Sequence, residues 1–325
     1  MNPPGVEAPD LEPGVERFDT YVSRCLYGPS GFYTVGGVAG RRGDFITSPE
    51  VGPLFGLLLS RLLERWWKEL GQPEAFSVYD VGTGPGTLVT SLRSAIDARP
   101  DPWDIQGVDL VGPSAQNELP TDLTGSVVIA NELLDNMAFR VVEHRSPGEW
   151  YEVYVDVNGP GQPQERLVSI EPLDLDIPVG TRGPWHQQAQ NWVSDILAAG
   201  VERLLIIDYG VPSTATLAGR GGWLRTYANH ARGNDPYLAP GTCDITTDIA
   251  FDQLPKPNRM VSQTELLRDL GIDQLVEEGR RYWTEHAAAP TVEALKMRSR
   301  ISEAEALCDP SSLGSWLAAV WSRSE

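Results

Sequence analysis

The stretch FSVYDVGTGPGTLVTSL, residues 76–92, decides the fold because it predicts a buried strand, a tight turn and a helix in direct succession. The strand ends at Asp80. The turn that follows contains three glycines, Gly82, Gly84 and Gly86. Glycine leaves room where backbone must approach a ligand closely, so the pattern predicts a nucleotide-type ligand pocket at the carboxyl end of the strand. A plain glycine-rich turn without a ligand is the alternative interpretation.

The details of the turn favour a ligand that has no phosphate groups. Thr87 stands where a dinucleotide-binding fingerprint has its third glycine, which disfavours a nicotinamide dehydrogenase. Pro85 has no backbone N–H to offer to a pyrophosphate. The carboxylate of Asp80 attracts a cationic ligand rather than an anionic one. S-adenosylmethionine fits these features because it carries a sulfonium and an ammonium group.

Three further apolar runs predict neighbouring strands of a parallel sheet, at residues 105–109, 126–131 and 204–208. With the first strand, these runs end in the polar side chains Asp80, Asp109, Asn131 with Glu132, and Asp208. Because the carboxyl ends of parallel strands share one edge of a sheet, we expect these groups to form a common site. Any one of them alone is better explained as a helix cap, and it is the four together that favour a site.

The remaining patterns predict an α/β fold with a Rossmann-like sheet and helices on both faces. Apolar residues at helical spacing indicate an amphipathic helix over residues 54–70, and residues 150–172 are typical of an appended β-hairpin. Ser262 and Glu265 form a capping-box pattern at the start of another helix. Residues 210–258 are rich in Gly, Pro, Asp and Thr and predict long ordered loops over the sheet edge.

These patterns divide the chain into three predicted parts. Residues 1–16 are acidic and proline-rich and predict a disordered tail. Residues 17–72 predict an N-terminal helical segment that borders the ligand pocket. Residues 73–325 predict the core, with the loop region 210–258 as an insertion.

The composition limits the classes of function. The 325 residues include 26 basic and 45 acidic side chains, and the resulting net charge of −19 disfavours nucleic acid and anionic membranes and favours basic partners. Three scattered cysteines and four scattered histidines show no metal-ligand spacing, so no metal is predicted and a reducing compartment is favoured. No targeting pattern or long apolar span occurs, and we therefore expect a cytoplasmic protein without membrane insertion.

Five motifs in order extend this interpretation over most of the chain. They are GDFITSPEVGPLFG at 43–56, DVGTGPGTL at 80–88, ANELLDNMAF at 130–139, DYG at 208–210 and LRTYANHARGNDPYLAPGTCDITTDIAFD at 224–252. Together they resemble the MidA-like methyltransferases, also called the domain-of-unknown-function 185 family. The resemblance implies a class I S-adenosylmethionine-dependent methyltransferase fold. It also implies kinship with a mitochondrial complex I assembly factor that methylates an arginine of a complex I subunit.

The resemblance assigns a cofactor pocket residue by residue. It places the following residues there: Gly82, Gly84 and Gly86 at the methionine end, Asp80 beside the amino group, Thr47 and Ser48 at the border, and Asn131. Helix capping is the competing explanation for Thr47 and Ser48. Where the family has a glutamate for the ribose hydroxyls, this chain has Gly112, and Asp109 is the expected substitute.

The resemblance also implies the acceptor chemistry. An arginine nucleophile arrives as a cation, so carboxylates must bind and polarise it, and Glu132, Asp135 and Asp208 are the candidates. Asp244 and Asp248 are further candidates from a neighbouring loop, with turn or cap roles as the alternative. The leading hypothesis is a protein arginine N-methyltransferase that acts on a basic segment of a partner, such as a respiratory complex I subunit. A small-molecule O- or N-methyltransferase and a non-catalytic assembly factor of the same fold remain open alternatives.

Overall fold

A computed structural model describes residues 12–35, 47–97, 103–109, 118–159, 161–228 and 231–323. The helices in these ranges are α1 Phe18–Tyr27, α2 Ser48–Val51, α3 Pro53–Glu69, α4 Thr87–Ile96, α5 Gln187–Ala198, α6 Thr214–Arg220, α7 Gln263–Asp269, α8 Ile272–His286 and α9 Val292–Leu307. The strands up to residue 185 are β1 Val15–Arg17, β2 Ser77–Val81, β3 Asp104–Val108, β4 Ser126–Asn131, β5 Arg140–Ser146, β6 Glu149–Asp156, β7 Gln164–Ile170 and β8 Thr181–Trp185. The later strands are β9 Arg203–Asp208, β10 Gly210–Val211, β11 Leu224–Ala228, β12 Ala231–Gly233, β13 Asp244–Thr247, β14 Ile249–Ala250, β15 Arg259–Ser262 and β16 Leu317–Ser322.

The main sheet has six strands in the order β15-β16-β9-β4-β2-β3. Strands β3, β2, β4 and β9 are parallel, as the four apolar runs predict, while β16 lies antiparallel between β9 and β15. The predicted strands are confirmed to within one residue or so at each end. The insertion of β16 is not predicted by the sequence, because its partners lie far away along the chain.

The parallel pairing brings the predicted polar groups to one edge of the sheet. Strands β2, β3, β4 and β9 end at Val81, Val108, Asn131 and Asp208. Leu317, the first residue of β16, pairs with Asp208 at the same edge. We call this edge, with the turns that leave it, the rim.

Apolar side chains cover both faces of the main sheet, which confirms the predicted doubly covered α/β fold. On one face α3 and α4 pack on β2 and β9, and the predicted amphipathic helix is α3. Its Leu58 and Leu59 are fully buried, and each contributes about 2 kcal/mol by leaving water. On the other face α5 packs on β4 and β9 through Val193 and Ile196. No helix in the described ranges is both long and apolar enough to cross a lipid bilayer.

A second sheet, in the order β1-β6-β5-β8 with β7 also paired to β6, lies beside the main one. The antiparallel pair β6–β7 confirms the predicted hairpin. Val15 and Glu16 fall in the predicted disordered tail, yet they pair with β6 as part of β1. Residues 1–11 of that tail lie outside the described residues.

The prediction of long ordered loops over residues 210–258 is wrong for the described part of this region. This region contains α6, the parallel pair β10–β14 and a three-stranded sheet in the order β12-β11-β13. Short strands rich in Gly, Thr and Asp carry little of the alternating apolar signal that identifies a strand in sequence. Their pairing with one another stabilises them instead.

Candidate functional site

The glycine turn after β2 uses backbone conformations that favour glycine. Gly82, Gly84 and Gly86 have φ angles of 76°, 52° and 79°. The N–H groups of Gly82 and Thr83 both donate to the carbonyl of Val108 at the end of β3, at 2.8 and 3.2 Å. A Cβ atom on Gly84 or Gly86 would meet no atom of the described residues within 4 Å. The turn is thus fixed to the sheet on one side and has open space on the other.

Two carboxylates hold the turn in place. Asp80 accepts a hydrogen bond from the Thr83 hydroxyl at 2.8 Å, and Asp109 accepts one from the N–H of Gly84 at 3.1 Å. Burial raises the pKa of Asp80 to about 7, against the effect of the Thr83 hydrogen bond, and the charge of Asp109 adds to the rise. A cation placed beside Asp80 would lower this pKa again. Asp109 therefore lies at the turn, at the end of β3, where the sequence predicts the ribose anchor.

Glu132 stands at the end of β4 in a strained conformation. Its φ is 55°, which is rare for a residue other than glycine and costs about 1–2 kcal/mol. Its carboxylate accepts hydrogen bonds from the Ser48 N–H at 3.1 Å and from the Asn131 amide at 2.9 Å. Burial raises the pKa of Glu132 well above its usual range, and the charge of Asp135 raises it further. Backbone strain of this kind is found preferentially at functional sites.

The segment before α3 reaches the rim through Ser48. Besides the bond from its N–H to Glu132, the Ser48 hydroxyl donates to Gln263 at 2.9 Å. Thr47 is the half-buried residue that precedes α2, and its side chain makes no capping hydrogen bond. The structure thus places Ser48 next to Glu132 with Thr47 directly before it in the chain, and the Thr47 side chain does not cap α2.

Asp135 lies in a 3-10 turn, Leu134–Asn136, that follows β4. One carboxylate oxygen, Oδ2, accepts hydrogen bonds from the hydroxyls of Tyr209 and Thr246 and from the Asn136 amide, at 2.5, 3.0 and 3.0 Å. The other oxygen, Oδ1, is buried and has no hydrogen-bond partner among the described residues. Burial raises the pKa of Asp135, and these three hydrogen bonds oppose the rise.

Asp208 supports this turn from the end of β9. Its Oδ2 accepts the N–H groups of Leu134 and Asp135 at 2.9 and 3.3 Å, and its Oδ1 accepts the N–H of Tyr209 at 2.9 Å. The side chain is fully buried, and burial raises its pKa well above the usual range. Both oxygens are thus engaged by backbone, which favours a structural role over direct contact with a substrate.

The two further acidic candidates lie in different surroundings. Asp248 is buried and forms ion pairs with Arg220 and Arg225, so its charge is compensated by two guanidinium groups. Asp244, at the start of β13, raises the pKa of Tyr33 on the N-terminal segment by its charge, after the larger effect of burial. Asp244 therefore adjoins the rim, whereas Asp248 belongs to a buried ion-pair cluster.

Several residues at the rim escape the sequence analysis. They are Tyr27, Tyr33, Asn136, Tyr209, Thr246 and Gln263. Tyr209 directly follows Asp208 in the DYG motif, and Thr246 lies two residues from both Asp244 and Asp248 in CDITTD. The position of Tyr209 directly after a strand end is a signal in the sequence. Hydroxyl side chains are uncharged, however, and do not stand out at strand ends as acidic residues do.

The hydrogen-bond acceptors beside the glycine turn suit a cationic ligand that carries an amino-acid group. Two buried groups, the Asp80 carboxyl and the Asn131 carbonyl oxygen, offer acceptors beside a turn that has open space. The Asn131 Oδ1 has no hydrogen-bond partner among the described residues. These features fit S-adenosylmethionine, the cofactor that the sequence predicts. Within the described ranges, no group of three His, Cys, Asp or Glu side chains is placed to hold a metal ion.

Comparison with known proteins shows that this chain is similar to methyltransferases. The model of a family described as "Putative S-adenosyl-L-methionine-dependent methyltransferase" matches residues 113–272. The human protein arginine methyltransferase NDUFAF7, mitochondrial, is 26% identical over 319 residues, which covers 78% of this chain and 69% of that protein. Its Drosophila melanogaster homolog is 27% identical over 287 residues, covering 71% and 64%.

A solved structure from Burkholderia thailandensis shares the fold. It is a likely methyl transferase of the COG1565 superfamily bound to S-adenosyl-homocysteine, and it superposes with a TM-score of 0.79 at 24% sequence identity. The superposition covers 95% of this chain and 88% of that one. The fold predicted from the sequence is confirmed by this likeness.

One expectation from the sequence is contradicted by these comparisons. The absence of a targeting pattern predicts a cytoplasmic protein, but the human and Drosophila relatives are both named as mitochondrial proteins. Targeting signals are read by receptors and are separate from the folded core, so core composition is a poor guide to compartment.

Proposed function

We propose that this chain, which matches a family model of S-adenosylmethionine-dependent methyltransferases over residues 113–272, methylates arginine side chains of a protein substrate. The observation that carries the proposal is the buried Asp135, which has one oxygen held by three donors and the other without a partner among the described residues. Such a carboxylate is suited to a cationic hydrogen-bond donor such as a guanidinium group. The human relative is named as a protein arginine methyltransferase, which supports the same acceptor.

The cofactor side of the site follows from the contacts around the glycine turn. When bound, S-adenosylmethionine supplies an electrophilic methyl group. We assign its methionine end to Gly82, Gly84 and Gly86, with Asp80 and Asn131 as acceptors for the amino group. Asp109 accepts the Gly84 N–H and stands at the end of β3, where it is our candidate for the ribose hydroxyls. Thr47 and Ser48 border the pocket beside Glu132.

The acceptor side belongs to Glu132 and Asp135. A guanidinium group carries its charge over three nitrogens, and a carboxylate that binds two of its N–H groups concentrates the charge away from the attacking nitrogen. The raised pKa of Glu132 also fits a group that takes up the proton released on methyl transfer. Asp208 acts through the 3-10 turn that it holds, so we assign it a positioning role.

The partner is a protein with a basic segment. The net charge of −19 favours approach of a cationic surface. A respiratory complex I subunit is the partner that the family resemblance implies for this class of methyltransferase.

The decisive experiment identifies the methylated residue. Purified protein is incubated with methyl-labelled S-adenosylmethionine and a host lysate, and the labelled peptides are located by mass spectrometry. We expect label on arginine, and Glu132→Gln is expected to lower the rate at least tenfold because the carboxylate charge is lost. Label only on metabolites would favour the small-molecule alternative. Full activity of Glu132→Gln on the protein substrate would remove Glu132 from the site.

A further inference from the structure

The hydrogen bonds around Asp135 are distributed very unevenly over its two oxygens. Oδ2 accepts three, from the Tyr209 hydroxyl, the Thr246 hydroxyl and the Asn136 amide. Oδ1 accepts none from the described residues although the side chain is only 3% exposed. A buried carboxylate oxygen without a donor costs free energy unless a ligand completes it. The fold therefore presents Oδ1 in one fixed orientation.

Each of the three donors is itself held by its surroundings. The Tyr209 hydroxyl also contacts the Thr246 hydroxyl. The Tyr209 ring lies near Arg225, whose Cζ is 5.0 Å from the ring centroid, and near Trp316, with ring centroids 5.6 Å apart. Thr246 lies on β13, which is held in place by antiparallel pairing with β11. Because these supports come from separate elements, the donors cannot follow Asp135 if it turns.

Asn136 is fixed from the N-terminal segment. Its carbonyl groups accept hydrogen bonds from two tyrosines: the backbone oxygen from Tyr27 at 2.8 Å and the side-chain oxygen from Tyr33 at 2.7 Å. The two tyrosine rings stack with centroids 5.6 Å apart. The amide orientation is thereby determined, because Tyr33 occupies the oxygen and leaves the amide N–H to Asp135.

We propose that Asp135 Oδ1 is the acceptor that binds the substrate guanidinium, and that Tyr209, Thr246 and Asn136 are positioning residues that aim it. This inference rests on the proposed arginine methyltransferase function and names the residues that make its acceptor specific. A carboxylate fixed by three donors loses little conformational freedom on binding, so the geometry of the guanidinium is selected as well as its charge.

The proposal predicts how the positioning residues act on pH dependence. Carboxyl and phenol groups face Asp135 from every neighbouring element: Glu132 after β4, Asp208 and Tyr209 at β9, Asp244 on β13, and Tyr27 and Tyr33 on the N-terminal segment, with Arg225 on β11 as the cation. The hydrogen bond from Tyr209 lowers the pKa of Asp135. Its removal leaves less ionised carboxylate at a given pH, so binding of a cation requires a higher pH.

The test uses the arginine peptide that the labelling experiment identifies and a copy with citrulline in place of the arginine, which keeps the shape without the charge. Affinities for both are measured by calorimetry from pH 6 to pH 9 in the presence of S-adenosylhomocysteine. Tyr209→Phe is expected to weaken arginine-peptide binding roughly tenfold at neutral pH and to recover as the pH rises. The rising limb of the pH profile of kcat/KM for Tyr209→Phe should move to higher pH by the same number of pH units as the affinity curve.

Matched variants separate positioning from simple loss of structure. Thr246→Ser keeps the hydroxyl and is expected to bind like the parent protein, whereas Thr246→Val should lose affinity as Tyr209→Phe does. Tyr79→Phe removes the hydroxyl of a largely buried tyrosine on β2 of the same sheet and should leave both the affinity and the pH profile unchanged. Asp135→Asn should abolish the preference for arginine over citrulline at every pH.

The outcomes distinguish the inference from the function on which it rests. If the parent protein methylates arginine while Tyr209→Phe and Thr246→Val keep its affinity and pH profile, the positioning role is overturned and the function stands. If the label appears on a residue other than arginine, the proposed function fails and this inference fails with it. Equal binding of the arginine and citrulline peptides by the parent protein would remove Asp135 as the guanidinium acceptor.

Discussion

At the scale of single residues, the charge of Asp80 works against the stability of the fold. The buried carboxyl has a pKa of about 7 instead of its ordinary 3.8. Between these two values the unfolded chain ionises this group and the folded chain resists, so the free energy of unfolding falls as the pH rises. The stabilising contribution is thus complete below about pH 4 and is lost by about pH 7, with an upper bound of about 4 kcal/mol.

Asp80→Asn is therefore expected to flatten the dependence of stability on pH. The amide still accepts the Thr83 hydrogen bond but never ionises, so the variant should melt at a higher temperature than the parent protein at pH 8 and lose most of that advantage near pH 5. Thermal unfolding followed by circular dichroism at both pH values measures the difference. Asp174→Asn, on an exposed loop, serves as the control. Parallel melting curves for Asp80→Asn and the parent at all pH values would contradict the expected burial effect.

Glu132 combines a strained backbone with a proposed function in the same residue. Its φ of 55° is comfortable for glycine and unfavourable for any other side chain. We expect the free energy of unfolding of Glu132→Gly to be about 1 kcal/mol higher than that of Glu132→Ala, because only the alanine variant keeps the backbone strain. Both variants lack the carboxylate and should be inactive. Chemical denaturation of the pair measures the strain directly, and equal stabilities would show that the surroundings compensate for it.

At the scale of elements, the start of α3 depends on a side chain from a distant helix. Glu303 on α9 accepts the N–H of Leu54 at 2.9 Å, although 249 residues separate the two. Glu303 also accepts the Ser299 hydroxyl at 2.6 Å and is nearly fully buried. A negative charge at a helix N-terminus satisfies free N–H groups and complements the helix dipole. Gly52 faces this carboxylate so closely that a Cβ atom would overlap it.

Removal of this distant cap should weaken the packing of α3 against α9. Glu303→Ala is expected to lower the free energy of unfolding by about 1–3 kcal/mol, because a buried N–H loses its acceptor. Glu303→Gln keeps an acceptor oxygen and should recover most of the loss. Urea unfolding of both variants measures the effect. If the alanine and glutamine variants are equally unstable, charge rather than the hydrogen bond holds the helix start.

Sequence patterns predict the elements whose signals are local. The helix α3, the four parallel strands and the Ser262–Glu265 capping box each appear in a short window of sequence and are confirmed. The order of the sheet depends on pairing between distant segments, so the position of β16 between β9 and β15 leaves no local trace. The same limit applies to the rim, where Asp80 and Asp208 are recognisable as strand ends but the Tyr209–Asp135 bond joins residues 74 positions apart.

At the scale of the whole molecule, the excess of acidic residues acts at long range. A net charge of −19 on a chain of this size creates a negative potential around the protein that attracts cationic segments before contact. Salt screens such fields over a distance of about 10 Å at 0.1 M. The proposed arginine-bearing substrate would therefore reach the rim faster at low ionic strength.

Stopped-flow association with the arginine peptide tests this long-range attraction. The association rate constant is expected to fall about tenfold or more when the ionic strength rises from about 0.02 M to about 0.5 M, while the dissociation rate constant changes little. The citrulline copy, with one positive charge fewer, should show a shallower dependence on salt. A rate that is independent of salt for both peptides would confine the role of charge to direct contacts at the rim.

The antiparallel insertion of β16 has a consequence for biosynthesis. During translation β9 leaves the ribosome more than a hundred residues before its neighbour β16 at residues 317–322. Until β16 is made, the backbone N–H and C=O groups on that side of β9 have no strand partner. A nascent chain that stalls, or a product cleaved after α9, keeps this unpaired edge of β9 and is prone to aggregate with other copies. Correct folding of this protein therefore depends on residues 317–322 being present to pair with β9.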